Sequence, residues 1–121
     1  PSRRIGVLFT NPGGPGISGV DFIIGVAANA PFFAPYRERF DIVSFDPRGV
    51  GRSRPVQCVP GSIEIPDGAS DEQLAAAFDA FSRSYAEECL RLDGPFVTTL
   101  STNNVARDMD AVRASLGDDQ L

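Results

Sequence analysis

Two short apolar runs, each closed by a glycine- and proline-rich turn, constrain the fold of this chain most strongly. The first run, RRIGVLFT, ends at NPGGPG, and the second, RFDIVSFD, ends at PRGVGRSRP. Continuous apolar runs of this length are typical of buried strands. The stretch between them, ISGVDFIIGVAANA, has apolar residues at helical spacing and is stopped by Pro31. This order predicts a parallel βαβ unit and therefore an α/β fold, with parallel strands and flanking helices.

The second half of the chain predicts a surface excursion followed by two helices. Residues 51–70 are rich in Gly, Pro and Ser, and Ser70 with Gln73 forms a capping-box pattern that opens a helix. A further helix carries apolar residues up to Leu116 and ends at Gly117, a favourable C-terminal stop. At 121 residues the chain is at most one domain, so we assign residues 1–121 to a portion of a single domain.

Charge and residue usage exclude several kinds of site. The formal net charge is −5 and no basic block is present, so nucleic acid is not an expected partner. All 11 basic residues are Arg, and histidine is absent, which excludes a catalytic lysine, an imidazole base and a histidine metal site within this chain. No apolar run approaches the roughly 20 residues that cross a bilayer. We expect no metal, no cofactor and no membrane span.

The two cysteines, Cys58 and Cys89, allow either a disulfide or two buried thiols, and their spacing does not decide between them. Cys89 falls on the apolar face of the helix that follows Ser70, and Cys58 lies in the excursion before it. This placement favours a disulfide, which would close a loop of about thirty residues.

The glycine loop after the first run supports two different functions. Gly14, Gly16 and Gly19 match the G-x-G-x-x-G pattern of dinucleotide-binding proteins, and Asp46 at the end of the second run would be the ribose-binding acid. However, Pro15 lacks the N–H that a phosphate needs. A lone pattern of this kind is also a weak signal for a nucleotide.

The second interpretation uses the same loop as an oxyanion hole. Adjacent glycines at a strand end, held between Pro12 and Pro15, would present bare N–H groups where negative charge develops in a reaction. Gly14 is the expected donor and Gly13 the alternative. A simpler interpretation, in which the glycines only make a tight turn, stays open.

Two motifs in order resemble a known hydrolase family. NPGGPG after VLFT, together with FDIVSFDPRGVGRS, is similar to the α/β-hydrolase family of prolyl iminopeptidases and secreted tripeptidyl aminopeptidases. NNVARDMDAVRASLG resembles the helix before the nucleophile strand of that family, and the placement of the two cysteines resembles its secreted branch. The resemblance implies the N-terminal part of an α/β-hydrolase fold, incomplete without the following segment.

The resemblance also assigns roles around the glycine loop. Asp46 and Arg48 are expected to brace the turn beside the loop, and Gly49 and Gly51 to supply positive φ angles. Neither Ser18 nor Ser53 has the glycine spacing of a G-x-S-x-G elbow. The nucleophile, the histidine and the acid of the triad are therefore expected beyond residue 121.

These features predict a segment of a secreted, extracellular serine hydrolase. The expected reaction releases short peptides or single residues from peptide N-termini, and the expected partners are the remaining C-terminal part of the domain and a peptide or ester substrate. Three alternatives stay open: an esterase or lactonase on the same fold, a dinucleotide-binding oxidoreductase, and a non-catalytic binding module.

Overall fold

The protein was analysed as a computed structural model, which describes residues 3–120. The described chain divides into two compact units. The first contains the residues up to Pro55 together with those from Leu100 onward, and the second runs from Val56 to Thr99.

A parallel pair of strands forms the centre of the first unit. β1 (Gly6–Phe9) pairs with β2 (Phe40–Val43), so that Gly6 lies opposite Phe40 and Phe9 lies opposite Val43. The ladder continues past the strand end, because the Thr10 N–H donates to the Val43 carbonyl over 2.9 Å. The predicted parallel βαβ arrangement is confirmed, and the carboxyl ends of both strands lie at the same edge.

The connection between the strands is more broken than the single helix that the sequence predicts. It contains four short pieces: α1 (Gly19–Phe22), a π-helical turn (Ile23–Ala27), a 3-10 turn (Pro31–Phe33) and α2 (Ala34–Arg37). Pro31 forces the preceding Ala30 into extended backbone, with ψ of 130°, and this separates the two halves. The Arg37 guanidinium donates to the carbonyls of Ala27 and Ala30, and so supplies hydrogen bonds to carbonyls at the end of the interrupted helix.

Two longer helices follow in the chain. α3 (Asp71–Asp93) belongs to the second unit, and α4 (Thr102–Ser115) belongs to the first. The Ser101 side chain caps α4 by accepting from the Asn104 N–H. Gly117 follows with φ of 77°, the left-handed conformation predicted for the stop.

The second unit is a helix with a loop tied against it. The predicted capping box of Ser70 and Gln73 is present at the start of α3, and a 3-10 segment (Gly94–Thr99) follows its end. Cys58 and Cys89 form a disulfide, which confirms the pairing that the sequence favoured. Asp93, a buried residue, accepts hydrogen bonds from the backbone N–H groups of Gln57 and Cys58. The loop is therefore fastened by one covalent link and one buried carboxylate.

Reduction of this disulfide is expected to lower the free energy of unfolding by about 3–4 kcal/mol, the loop-closure entropy for about thirty residues. The bonded cysteines are 31 residues apart. Intact mass should rise by two hydrogens on reduction, and urea unfolding should show the loss. A Cys58→Ser/Cys89→Ser variant is the matched control, since it should be insensitive to reductant. Two thiols that titrate freely in the native protein would contradict the prediction.

Apolar side chains are poorly covered within the described residues. Among residues 3–120, Ala27 and Cys58 are the buried apolar ones. By contrast, Phe32, Ile24 and Val59 are 70%, 62% and 78% exposed. An apolar surface of this extent is typical of a face that another segment or protein covers.

Candidate functional site

The carboxyl ends of β1 and β2 bring the two sequence motifs together. The glycine loop leaves β1 through Thr10, and the turn that begins at Asp46 leaves β2. The Ser44 hydroxyl donates to the Thr10 carbonyl over 2.6 Å, which links the two chain segments just before they diverge. Ligands of open parallel sheets bind at this edge, so these two loops form the candidate site.

The glycine loop has positive φ angles, which both the oxyanion interpretation and the tight-turn interpretation allow. Gly13 and Gly14 have φ of 83° and 118°, values that residues other than glycine rarely adopt. The Gly13 N–H donates to the Asn11 side-chain oxygen over 3.3 Å. The Gly13 N–H is thus engaged within its own loop.

Asp46 connects the end of this loop to the second turn. One carboxylate oxygen accepts from the Ser18 hydroxyl at 2.6 Å and from the Val20 N–H at 3.1 Å, and the other accepts from the Arg52 N–H at 2.7 Å. Asp46 is 3% exposed. A carboxylate this buried needs such partners, and here they tie both loops to one group.

The same partners hold Asp46 ionised. The hydrogen bond from the Arg52 N–H, followed by that from the Ser18 hydroxyl, lowers the pKa of Asp46 from 3.8 to about 2, although burial acts in the opposite direction. The carboxylate is therefore charged near neutral pH.

The turn after Asp46 has the predicted glycine conformations. Gly49 and Gly51 have φ of 84° and 49°, and the Gly49 N–H donates to the Ser53 carbonyl over 3.0 Å. A Cβ atom on Gly51 would overlap the Asp46 carboxylate. Glycine at this position is thus favoured by the positive φ and required by the close approach of Asp46.

Arg48 forms a bidentate ion pair with α4. Its Nε and Nη2 atoms donate to the two carboxylate oxygens of Asp108 at 2.7 and 2.6 Å. These bonds raise the pKa of Arg48 and lower the pKa of Asp108. The pair fastens the turn to a helix, in addition to the attachment that Asp46 makes to the glycine loop.

This geometry does not favour the dinucleotide interpretation. The amides at the start of α1 are already used, because Val20 donates to Asp46 and Asp21 donates to the Ser18 hydroxyl. A phosphate would have to displace a buried carboxylate, and Asp46 is not accessible to a ribose. Within residues 3–120, no group of three or more His, Cys, Asp or Glu side chains is arranged to hold a metal ion. No helix of the described part has the length and apolar character to cross a membrane.

Comparison with known proteins identifies the relatives of these motifs. The tripeptidyl aminopeptidase of Streptomyces coelicolor is 38% identical across 99% of this chain. The serine protease Hip1 of Mycobacterium tuberculosis is 37% identical across 98% of the chain. The chain is a homologue of these hydrolases. The carboxylesterase B of Mycobacterium tuberculosis is also similar, with 41% identity across 92% of the chain.

The predicted resemblance to tripeptidyl aminopeptidases is thereby confirmed, with an alignment that covers 99% of the chain. The similarity covers 23% of the Streptomyces aminopeptidase, 24% of Hip1 and 22% of the carboxylesterase, so the chain spans about a quarter of these relatives. No protein-family model matches the chain.

Sequence reasoning missed two participants of this site. Ser18 was considered only as a nucleophile, and Arg52 was not considered. Ser18 and Asp21 match the S-x-x-D pattern of a helix start, which would have identified Ser18 as the cap of α1. No local signal marks Arg52, because it contributes its backbone N–H to Asp46. The two cysteines belong to the second unit and not to this group of residues.

Proposed function

We propose that this chain is the N-terminal portion of the catalytic domain of a secreted serine hydrolase with an α/β-hydrolase fold. Its reaction would be the release of short peptides from peptide N-termini. The observation that carries the proposal is the 38% identity to a tripeptidyl aminopeptidase across a segment that contains the whole glycine loop. The parallel strand pair and its flanking helices support the fold, and the disulfide supports an oxidising, extracellular compartment.

The proposed role of the segment is to supply one donor of the oxyanion hole. A serine outside these 121 residues would attack the substrate carbonyl, and the Gly14 N–H with one amide next to that serine would bind the oxygen as it becomes negative. The amine product leaves with a proton from the catalytic base, and water then hydrolyses the acyl-enzyme. The base and the orienting acid would also come from the rest of the domain, since the chain has no histidine.

The exposed apolar side chains support a partner segment. Phe32, Ile24 and Val59 belong to faces that have no cover in residues 3–120. We assign that cover to the remaining part of the hydrolase domain.

A second candidate is an esterase with the same acyl-transfer chemistry. The 41% identity to a carboxylesterase favours it. Peptidases and esterases share the oxyanion hole and the serine, so the segment described here would act in the same way in both.

Labelling by a fluorophosphonate separates these functions. We expect the longer protein that contains this segment to be labelled at one serine, and to release tripeptides from substrates with a free N-terminus. N-terminally blocked peptides and heat-denatured protein are the controls. Labelling with hydrolysis of p-nitrophenyl esters alone would favour the esterase. Binding of a nicotinamide or flavin dinucleotide without labelling would overturn the hydrolase proposal, and the absence of both would favour a binding module.

A further inference from the structure

Ser18 makes two hydrogen bonds through one hydroxyl group. The Oγ atom donates to the Asp46 carboxylate at 2.6 Å and accepts from the Asp21 N–H at 3.0 Å. The first bond crosses 28 residues of sequence, and the second caps α1. A threonine preserves both kinds of bond, whereas alanine and glycine remove them.

The Asp46 carboxylate, which accepts the hydrogen bond from the Ser18 hydroxyl, is itself held in place. Asp46 is buried and also accepts from the backbone N–H groups of Val20 and Arg52. A hydroxyl bonded to such a carboxylate is tied to the protein frame instead of to water. Ser18 is thereby a fixed point at the end of the glycine loop.

The backbone on both sides of Ser18 is closely packed. On one side, a Cβ on Gly19 would overlap the Phe45 carbonyl oxygen, so the chain leaves the loop against the segment that follows β2. On the other side, a Cβ on Gly14 would lie 3.0 Å from the Gly16 nitrogen and 3.2 Å from the Ile17 nitrogen. The backbone of Gly14 therefore lies close to that of Gly16 and Ile17, the two residues before Ser18.

We propose that Ser18 is a positioning residue, which holds the glycine loop on Asp46 so that the Gly14 N–H keeps its direction toward the substrate oxygen. The inference rests on the proposed function, because it concerns the placement of the proposed oxyanion donor. Ser18 does not touch the reacting atoms in this scheme and does not act as a nucleophile. It contributes by keeping the Gly14 N–H in place, and displacement of a catalytic group by an ångström costs about 100-fold in rate.

The test compares Ser18→Ala and Ser18→Thr in the longer hydrolase. We expect Ser18→Ala to lower kcat by about 10- to 100-fold while KM changes by less than about threefold, because the donor is displaced mainly from the transition state. Ser18→Thr should keep most of the activity. Ser84→Ala is the matched control, since Ser84 is an exposed serine of α3 in the second unit. Its kcat should equal that of the wild type.

Rates are expressed per serine labelled by fluorophosphonate, so that loss of folded protein does not count as loss of kcat. Ser18→Gly serves as a second variant, because glycine retains most of the helix-capping preference without the hydroxyl. It should show the same fall in kcat as Ser18→Ala. A normal kcat in both variants, or an equal loss in Ser18→Thr, would overturn the inference. If Gly14→Val also has a normal kcat, the proposed oxyanion role fails as well; if Gly14→Val is impaired, the Ser18 inference fails alone.

Discussion

Gly14→Val is expected to lower kcat of the complete hydrolase by about 100-fold or more, with a smaller change in KM. This is the scale for losing one donor of an oxyanion hole. Gly14 has φ of 118°, and its Cβ would press against the Gly16 and Ile17 nitrogens. A branched side chain would therefore move the loop, and the transition state would lose more binding than the ground state. Steady-state kinetics per labelled serine provide the measurement.

Two further glycine variants make this prediction specific. Gly13→Val tests the alternative donor, which has φ of 83° and open space around it. Gly68→Ala is the matched control for backbone strain, because Gly68 has φ of 76°, open surroundings and a place in the second unit. It should cost stability but leave kcat unchanged. Loss of kcat in Gly13→Val alone would transfer the role to Gly13, and normal kcat in both would exclude the loop from catalysis.

Asp46→Ala is expected to lower the free energy of unfolding by about 2–4 kcal/mol. The substitution leaves the N–H groups of Val20 and Arg52 and the Ser18 hydroxyl without their acceptor. Urea unfolding of the intact protein measures the loss. Asp21→Ala is the matched control: Asp21 pairs with Arg52 at the surface, and its side chain is 67% exposed, so its removal should cost less than about 1 kcal/mol. Equal effects of the two substitutions would contradict the bracing role of Asp46.

The same carboxylate makes stability depend on pH in the acid range. The folded protein lowers the pKa of Asp46 from 3.8 to about 2, so the stabilisation is complete above pH 4 and is lost as the pH falls toward 2. Asp46→Asn should remove this part of the dependence, because an amide does not titrate. An unchanged acid profile in that variant would show that other groups cause it.

The sequence predicted the local elements of this protein well. The two apolar runs predicted the parallel strands, the pattern at Ser70 and Gln73 predicted the start of α3, and Gly117 predicted the end of α4. Each of these depends on residues within one strand or one helical turn, where backbone sterics and capping decide the outcome. The first helix was predicted less well. Its stop at Pro31 is confirmed, but its apolar spacing did not predict the π-helical turn of Ile23–Ala27 or the short helical pieces after Pro31.

Sequence alone determined the resemblance to tripeptidyl aminopeptidases, the parallel pair of strands and the glycine loop that follows the first of them. Only the tertiary structure decided which groups meet there. Asp46 bonds to Ser18 across 28 residues, and Arg48 bonds to Asp108 across 60. An acid at a strand end has the same local pattern whether it binds a ribose or the start of a helix. Its partner is chosen by which distant backbone N–H groups the fold brings within about 3 Å of a buried charge.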